Sequence, residues 1–345
     1  MKATVYHAAR DVRLETVADP QLRESSDALV RVTHAAICGS DLWFYRGVTQ
    51  WQPGERTGHE FIGIVEEVGS QVRSIRSGDR VIAPFAISDG TCEFCLAGLQ
   101  TSCLRGQSWG DDANGAQAQA VRVPLADGTL VRMPQSIESD ERKVASALSL
   151  TDVLCTGHHG VISAGAREGG TLAVIGDGAV GLCAVLSARR LGVHEIISVG
   201  HNAKRLRVAQ DFGATAIFDS REPDVAQRII EATHGGASAV LEAVGGQNSM
   251  DLALQIVREG GTVSFVGVPH GLERVDFRRL FSGNVTLRGA LAPARAYIPE
   301  LLEDVLNGSL DASPIFDLQL PLERVAEGYA AMDARTAIKV LLRVS

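Results

Sequence analysis

Residues 172–181 read Leu-Ala-Val-Ile-Gly-Asp-Gly-Ala-Val-Gly, and they set the fold class of the chain. Four apolar residues predict a short buried strand, and the glycine-rich turn after them leads into a predicted helix from Ala179 to about Leu191. Apolar strands continue to alternate with amphipathic helices downstream. Strands are predicted at Glu195–Val199, Ala216–Asp219, Val240–Ala243, Val263–Val266 and Val285–Leu287, with a helix at Lys204–Phe212. This βαβ repetition predicts a parallel, doubly wound sheet and therefore an α/β fold.

The three glycines of this turn have the spacing Gly-x-Gly-x-x-Gly between a strand and a helix, which is the context in which the motif predicts a dinucleotide site. Gly176 permits the tight turn, and Gly178 lets the backbone approach a pyrophosphate. Gly181 lets the helix pack closely on the strand. The start of the helix at Ala179 and Val180 faces the phosphate charge.

The end of the second strand of this region predicts which dinucleotide binds. An acidic residue there would bind the ribose hydroxyls of NAD and repel a 2′-phosphate. Residues 198–205 read Ser-Val-Gly-His-Asn-Ala-Lys-Arg and contain no acid. Gly200 leaves room, while His201, Lys204 and Arg205 could face a phosphate dianion. The sequence therefore favours NADP(H) over NAD(H), and the alternative is that Lys204 and Arg205 are only the solvated start of a helix.

The first 150 residues have a different pattern, with short strands between glycine-containing turns. Strands are predicted at Lys2–Tyr6, Ala28–His34, Ile62–Val68 and Arg80–Ala83, and together they predict a small antiparallel barrel. The tail holds a predicted helix at Ile298–Leu306 and a last strand at Ile338–Leu342, which we expect to return to the first domain. We therefore predict a barrel domain of residues 1–152 and 294–345 and a dinucleotide-binding domain of residues 153–293.

Composition excludes several classes of partner. The chain has 345 residues and a formal net charge of −8, which would repel nucleic acid and anionic membrane surfaces. It has no apolar signal core at its start and no run of eighteen apolar residues, so we expect a cytoplasmic protein without a membrane partner. Six cysteines are too few for a disulfide scaffold in a chain of this length.

Two groups of residues have the composition of metal sites. His59 of Gly58-His59-Glu60 lies twenty-one residues after Cys38 of Cys38-Gly39-Ser40-Asp41, and thiolate and imidazole together suit Zn²⁺. Cys92, Cys95 and Cys103 crowd into twelve residues, which in a reducing compartment favours metal binding over bridging. A zinc site and a dinucleotide site in one chain predict metal-assisted hydride transfer.

These motifs, together with Gly78-Asp79-Arg80-Val81, resemble the zinc-dependent medium-chain alcohol dehydrogenases, and in particular a bacterial branch similar to secondary-alcohol dehydrogenases. The resemblance runs essentially from end to end. It implies a chaperonin-10-like β-barrel catalytic domain, with a Rossmann domain inserted before the C-terminal part of the barrel domain. It also implies a homo-oligomer, since dimers and tetramers both occur in the family.

The resemblance implies that Cys38 and His59 bind a catalytic zinc ion. The third protein ligand in one bacterial branch is an aspartate, which matches Asp152 of Thr151-Asp152-Val153. Other members use a cysteine at that place, and Cys155 is nearby. We favour Asp152 and interpret Cys155 as a small core residue.

Other residues near the predicted zinc site also match the family. Glu60 resembles the glutamate that can enter the zinc shell during ligand exchange, and Asp41 is similar to the aspartate that orients the ligand histidine. Ser40 would pass a proton between substrate and solvent. Trp43 stands where some relatives continue that relay with a histidine. We expect Trp43 and Trp109 either to line an apolar substrate pocket or to be ordinary core residues.

Asp89, Cys92, Cys95 and Cys103 occupy the positions of the four-cysteine structural zinc site of the family. The first cysteine is replaced by Asp89. A carboxylate can also bind zinc, so the resemblance implies a second zinc site built from three thiolates and one carboxylate.

The function expected from the sequence is that of an NADP(H)-dependent, zinc-containing alcohol dehydrogenase or carbonyl reductase acting on small secondary alcohols, ketones or aldehydes. One alternative is an NAD-dependent polyol dehydrogenase, which would need a more polar pocket. A metal-free enone reductase is disfavoured by the Cys and His ligand set. A non-catalytic, cofactor-binding regulatory or structural protein would have no use for those ligands beside a relay hydroxyl.

Overall fold

A computed structural model describes residues 1–110 and 114–344 of the chain. The chain forms two compact units, which are called unit 1 (Met1–Cys155 with Pro293–Ser345) and unit 2 (Thr156–Ala292). Within the described residues, no helix has both the length and the apolar character needed to cross a membrane.

Unit 1 is built mainly from short strands. Its strands are β1 (Lys2–Ala8), β2 (Asp11–Thr16), β3 (Ala28–Ile37), β4 (Glu60–Val68), β5 (Arg80–Ala83), β6 (Ala86–Ile87), β7 (Gln107–Ser108), β8 (Ala120–Val123), β9 (Val131–Met133), β16 (Leu318–Pro321) and β17 (Val340–Arg343). Its helices are α1 (Asp41–Tyr45), α2 (Glu93–Leu96), α3 (Ala126–Thr129), α4 (Glu141–Ser149), α11 (Ala294–Asn307) and α12 (Val325–Asp333).

Seven of these strands form one sheet in the order β16-β17-β3-β4-β5-β9, with β8 also paired to β3. The pairs are antiparallel except for the parallel pair β16 and β17. The sheet packs around an apolar core that includes Phe61, Leu130 and Tyr329, each at most 2% exposed. The last strand, β17, thus joins the sheet formed by the first third of the chain, as the sequence predicts.

Unit 2 alternates strands and helices. Its strands are β10 (Thr171–Ile175), β11 (Glu195–Gly200), β12 (Ala216–Asp219), β13 (Ala237–Glu242), β14 (Val257–Phe265) and β15 (Thr286–Gly289). Its helices are α6 (Ala179–Arg190), α7 (Ala203–Phe212), α8 (Val225–Ala232), α9 (Gln247–Ile256) and α10 (Phe277–Gly283), and helix α5 (Val153–Ser163) contains the boundary between the units.

The six strands of unit 2 are all parallel and have the order β12-β11-β10-β13-β14-β15. They confirm the predicted doubly wound sheet. The strand predicted at 263–266 begins earlier, at Val257, because the polar and glycine residues 258–261 continue the strand without an apolar signal. The order of the strands changes direction between β10 and β13, and in such sheets ligands bind outside the carboxyl ends of the strands at this point.

Candidate active site and metal centres

Strand pairing brings Cys38 and His59 together. Cys38 directly follows β3, His59 directly precedes β4, and Ala36 of β3 pairs with Glu60 of β4 in antiparallel register. Gly58 has a φ of +96°, and a Cβ atom there would lie 2.4 Å from Cγ of Gln117. Glycine is therefore required before His59, because a side chain would meet both backbone strain and a steric clash.

Asp152 completes a group of possible metal donors. It lies in the turn between α4 and α5, where its Oδ2 is 3.3 Å from Cys38 Sγ and 3.4 Å from His59 Nε2. Donors held at about 2.0–2.3 Å from a tetrahedral zinc ion are separated by about 3.3–3.6 Å, so these distances fit zinc. The thiol of Cys155, in contrast, is fully buried and donates to the carbonyl of Leu150 at 3.1 Å.

Asp41 orients two of these donors, Cys38 and His59. Its Oδ1 lies 3.4 Å from His59 Nδ1, and its Oδ2 accepts a hydrogen bond from the Cys38 amide at 3.0 Å. The side chain of Gln117 also donates to Oδ2, at 3.3 Å. Because Asp41 faces Nδ1, the Nε2 atom of His59 is directed to the cluster, which is the arrangement that fixes a metal-binding tautomer. Ser40, which is half-buried, stands directly before α1 beside this group.

Glu60 is held by a buried lysine that precedes β17. Lys339 Nζ lies 2.6 Å from Glu60 Oε2 and 2.9 Å from Oε1, and it also donates to the carbonyl of Ile37 at 3.2 Å. Burial raises the pKa of Glu60 to about 7, although the Lys339 charge opposes this shift. A carboxylate oxygen of Glu60 lies within 4.8 Å of the donor atoms of Cys38, His59 and Asp152.

The electrostatic environment of the cluster also fits a cation. Burial, together with the negative charges of Asp152 and Glu60, raises the pKa of the Cys38 thiol to about 11. A thiolate is the form that binds zinc, and a divalent cation beside Cys38 would offset both effects. The donor types, their spacing and their shared negative charge therefore all match a zinc site.

A second group of donors lies in the segment that contains α2. The carboxylate of Asp89 and the thiols of Cys92, Cys95 and Cys103 have one ligand atom each within 4.8 Å of one another. Asp89 Oδ1 accepts hydrogen bonds from the amides of Thr91 at 2.8 Å and Cys92 at 2.9 Å. Burial by itself would raise the pKa of Asp89, but the hydrogen bonds from these amides hold that pKa well below its usual range. An ionised carboxylate with three thiols is a donor set that zinc accepts.

The two tryptophans occupy different environments. Trp109 is 7% exposed, its Nε1 donates to the carbonyl of Pro84 at 3.0 Å, and its ring packs edge-on against Phe61 with centroids 5.0 Å apart. Trp43 is half-buried, and the Arg46 guanidinium lies 5.9 Å above its ring. The packing of Trp109 favours the core interpretation that the sequence left open for it.

The glycine turn of unit 2 has the shape of a dinucleotide site. Gly176 has a φ of +125°, and a Cβ atom on Gly181 would lie 1.9 Å from the Gly176 carbonyl oxygen. A Cβ atom on Gly178, at the N-terminus of α6, would meet nothing within 4 Å. Thus the first and third glycines are required by the fold, while the second leaves open space at a helix N-terminus where a phosphate can approach.

The residues predicted to meet a 2′-phosphate differ in their positions. His201 and Lys204 are exposed, at the end of β11 and the start of α7. Arg205 is 6% exposed, and its Nη1 lies 3.9 Å from Oδ1 of Asp177. The alternative that Arg205 is a solvated residue at the start of a helix is therefore wrong, because this side chain is buried beside a carboxylate. Its role as a phosphate ligand stays a prediction.

Three residues of these sites escaped the sequence analysis. Lys339 is a lone cation in the apolar strand predicted at Ile338–Leu342, and Asp177 is a lone acid in a glycine turn, so each carried a signal as an exception to its surroundings. Gln117 gave no such signal. Its amide nitrogen donates to Asp41, while its oxygen accepts from the hydroxyls of Thr57 at 2.6 Å and Tyr329 at 2.9 Å.

Comparisons with known proteins identify the family of the chain. Residues 24–135 match the family described as the alcohol dehydrogenase GroES-like domain, and residues 179–307 match the zinc-binding dehydrogenase family. A Mycobacterium tuberculosis protein named "probable zinc-binding alcohol dehydrogenase" is 39% identical over 97% of this chain and 86% of its own length. The chain belongs to the zinc-dependent medium-chain alcohol dehydrogenase family.

Solved structures of this family share the fold along the whole chain. The alcohol dehydrogenase of Thermus sp. ATN1 has a TM-score of 0.93 and 36% identity, covering 100% of both chains. A Sinorhizobium meliloti protein described as a zinc-binding dehydrogenase was solved with NADP bound; it has a TM-score of 0.87 and 27% identity, covering 99% of this chain and 98% of its own. Membership in the alcohol dehydrogenase family confirms the predicted α/β fold, with a GroES-like domain and a Rossmann domain, and makes the protein an oxidoreductase of the alcohol dehydrogenase type.

Proposed function

We propose that this alcohol dehydrogenase transfers hydride between NADP(H) and a small alcohol or the corresponding ketone or aldehyde. The proposal is carried by the donor group of Cys38, His59 and Asp152, whose atoms lie within 4.8 Å of one another. Family membership supplies the reaction class, and the glycine turn of unit 2 supports a dinucleotide coenzyme.

Cys38, His59 and Asp152 would hold the catalytic zinc ion in this proposal. Zinc bound there supplies Lewis acidity that polarises a carbonyl oxygen or lowers the pKa of an alcohol. Asp41 orients His59, and Glu60 remains close enough to the donors to join them. Ser40 would carry the proton of the substrate oxygen towards solvent.

Asp89, Cys92, Cys95 and Cys103 would hold a second, structural zinc ion. Their four donors are of the kind found in closed structural sites, where the protein supplies every ligand. We further propose that the protein is a homo-oligomer, as a dimer or a tetramer, and light scattering of the purified protein would test this.

The proposal for NADP(H) rests on the absence of an acid in residues 198–205 and on the exposed side chains of His201 and Lys204. The Sinorhizobium relative, which was solved with NADP, supports the same choice. A second candidate is NAD(H), which is favoured by the carboxylate of Asp177 at the end of β11.

The test is oxidation of NADPH and NADH with a panel of aldehydes and ketones, before and after chelation of zinc. Turnover that is lost on chelation and restored by Zn²⁺ supports the proposal, and turnover that survives complete metal removal contradicts it. Asp152→Ala should lose the catalytic zinc while Cys155→Ala keeps it. The reverse result would make Cys155 the third ligand.

A further inference from the structure

The side chain of Asp177 crosses from the glycine turn to the end of β11. Its Oδ2 accepts hydrogen bonds from the backbone amides of His201 and Asn202, both at 2.9 Å. These two amides stand directly before α7, and amides at such a position are the donors that bind anions in proteins. A carboxylate of the protein therefore already occupies two amide donors that an anion could otherwise bind.

The side chain of Asp177 packs directly against the backbone of Gly200. A Cβ atom at Gly200 would lie 2.5 Å from Cβ of Asp177 and 2.7 Å from its Oδ2. The absence of a side chain at residue 200 thus makes space for this carboxylate. The guanidinium of Arg205 lies 3.9 Å from the same carboxylate, and the two side chains are only 8% and 4% exposed. The positive charge of Arg205 is therefore directed at Asp177.

We propose that Asp177 is the residue that determines coenzyme selectivity, by placing a carboxylate where many dinucleotide-binding folds carry an acid at the end of the second strand. In those folds the acid accepts a hydrogen bond from a ribose hydroxyl and repels a 2′-phosphate. Here the first βα turn supplies the acid. The protein therefore accepts NAD(H) as well as NADP(H). Its preference for NADP(H) is weaker than the preference that His201 and Lys204 alone would produce. This inference rests on the proposed use of a nicotinamide coenzyme.

The test compares Asp177→Asn with the wild type by equilibrium titration of NADPH and NADH, followed by the fluorescence of the reduced nicotinamide. Asparagine keeps the size of the side chain and one acceptor oxygen but removes the charge. The ratio Kd(NADPH)/Kd(NADH) should fall by about tenfold or more, because a like charge beside the 2′-phosphate is removed. The ratio of kcat/KM values should move in the same direction, mainly through KM.

A matched control is Asp211→Asn, which removes one exposed negative charge from the same helix, α7, outside the turn. It should leave the ratio unchanged. Binding of both coenzymes by Asp177→Asn with the wild-type ratio overturns the inference and leaves the proposed function intact. If Asp177→Asn fails to fold, a wild-type preference for NADPH of more than about a hundredfold overturns it without a variant. Wild-type protein that binds neither coenzyme contradicts the proposed function, and this inference with it.

Discussion

Lys339 and Glu60 form an ion pair at 2.6 Å in which both side chains are only 1% exposed. The pair joins the residue before β17 to the first residue of β4, beside the donors proposed for the catalytic zinc. Taking two charges out of water is costly, and removing one partner leaves the other charge buried without compensation. The pair therefore ties the stability of unit 1 to the electrostatics of the candidate active site.

Lys339→Met should destabilise the protein by about 3–5 kcal/mol, because it leaves the Glu60 carboxylate buried alone. The melting temperature measured by calorimetry should fall, and the double variant Lys339→Met/Glu60→Gln should recover much of the loss. Arg343→Met is the matched control, since its pair with Glu141 has side chains 48% and 74% exposed and should be worth at most about 1 kcal/mol. Equal effects of the two single variants would show that burial of the pair has no special importance.

Asp41→Asn should weaken zinc binding by about 10–100-fold, because it removes the carboxylate that faces His59 Nδ1. Competition with a chromophoric chelator would measure the affinity. Asp333→Asn, an acid paired with Arg10 and Arg46, is the control and should keep the wild-type affinity. Unchanged affinity in Asp41→Asn would remove Asp41 from the group that positions the metal ligand.

The glycine turn predicts opposite results for two similar substitutions. Gly178→Ala should keep the melting temperature of the protein without coenzyme but raise the Kd of the coenzyme at least about tenfold, because a methyl group enters the space left for the pyrophosphate. Gly181→Ala should lower the melting temperature, since its Cβ would lie 1.9 Å from a carbonyl oxygen. Tight coenzyme binding by Gly178→Ala would place the pyrophosphate elsewhere.

Cys95→Ala should reduce the zinc content by one ion per chain, as measured by atomic emission, because it opens the second donor group. Loss of a structural zinc ion should also lower the melting temperature. Cys183→Ala replaces an equally buried cysteine outside both donor groups and should leave the zinc content unchanged. A wild-type zinc content near one ion per chain would instead contradict the second site.

Much of the fold could be predicted because its signals are local. The apolar strand before Gly176 and the regular alternation after it predict parallel strands, and β12 at Ala216–Asp219 has the predicted bounds. The donors Cys38, His59 and Asp152 could be proposed because each stands in a short motif. The spacing of the motifs, together with the family resemblance, was enough to group them before the structure placed their atoms within 4.8 Å.

The contacts that tune the sites could not be predicted, because they join distant segments. Lys339 and Glu60 are 279 residues apart, and Asp177 reaches amides 24 and 25 residues further along the chain. A scan for an acid at the end of the second strand, residues 198–205, finds none, since the acid comes from another turn. The environment of Trp109 could not be predicted for the same reason, because its position in the core depends on packing against Phe61, a distant residue in the sequence.

The order of segments along the chain also has a consequence for synthesis on the ribosome. Unit 2 is continuous and emerges whole, whereas unit 1 needs β17, whose residue Val340 pairs with Ile37 of β3. Until that strand emerges, β3 exposes an unpaired edge, and Glu60 lacks its cation. Since domains fold as units while the nascent chain grows, unit 2 can fold first. The nascent unit 1 should depend most on chaperones, because its unpaired strand edge is prone to aggregation until β17 is translated.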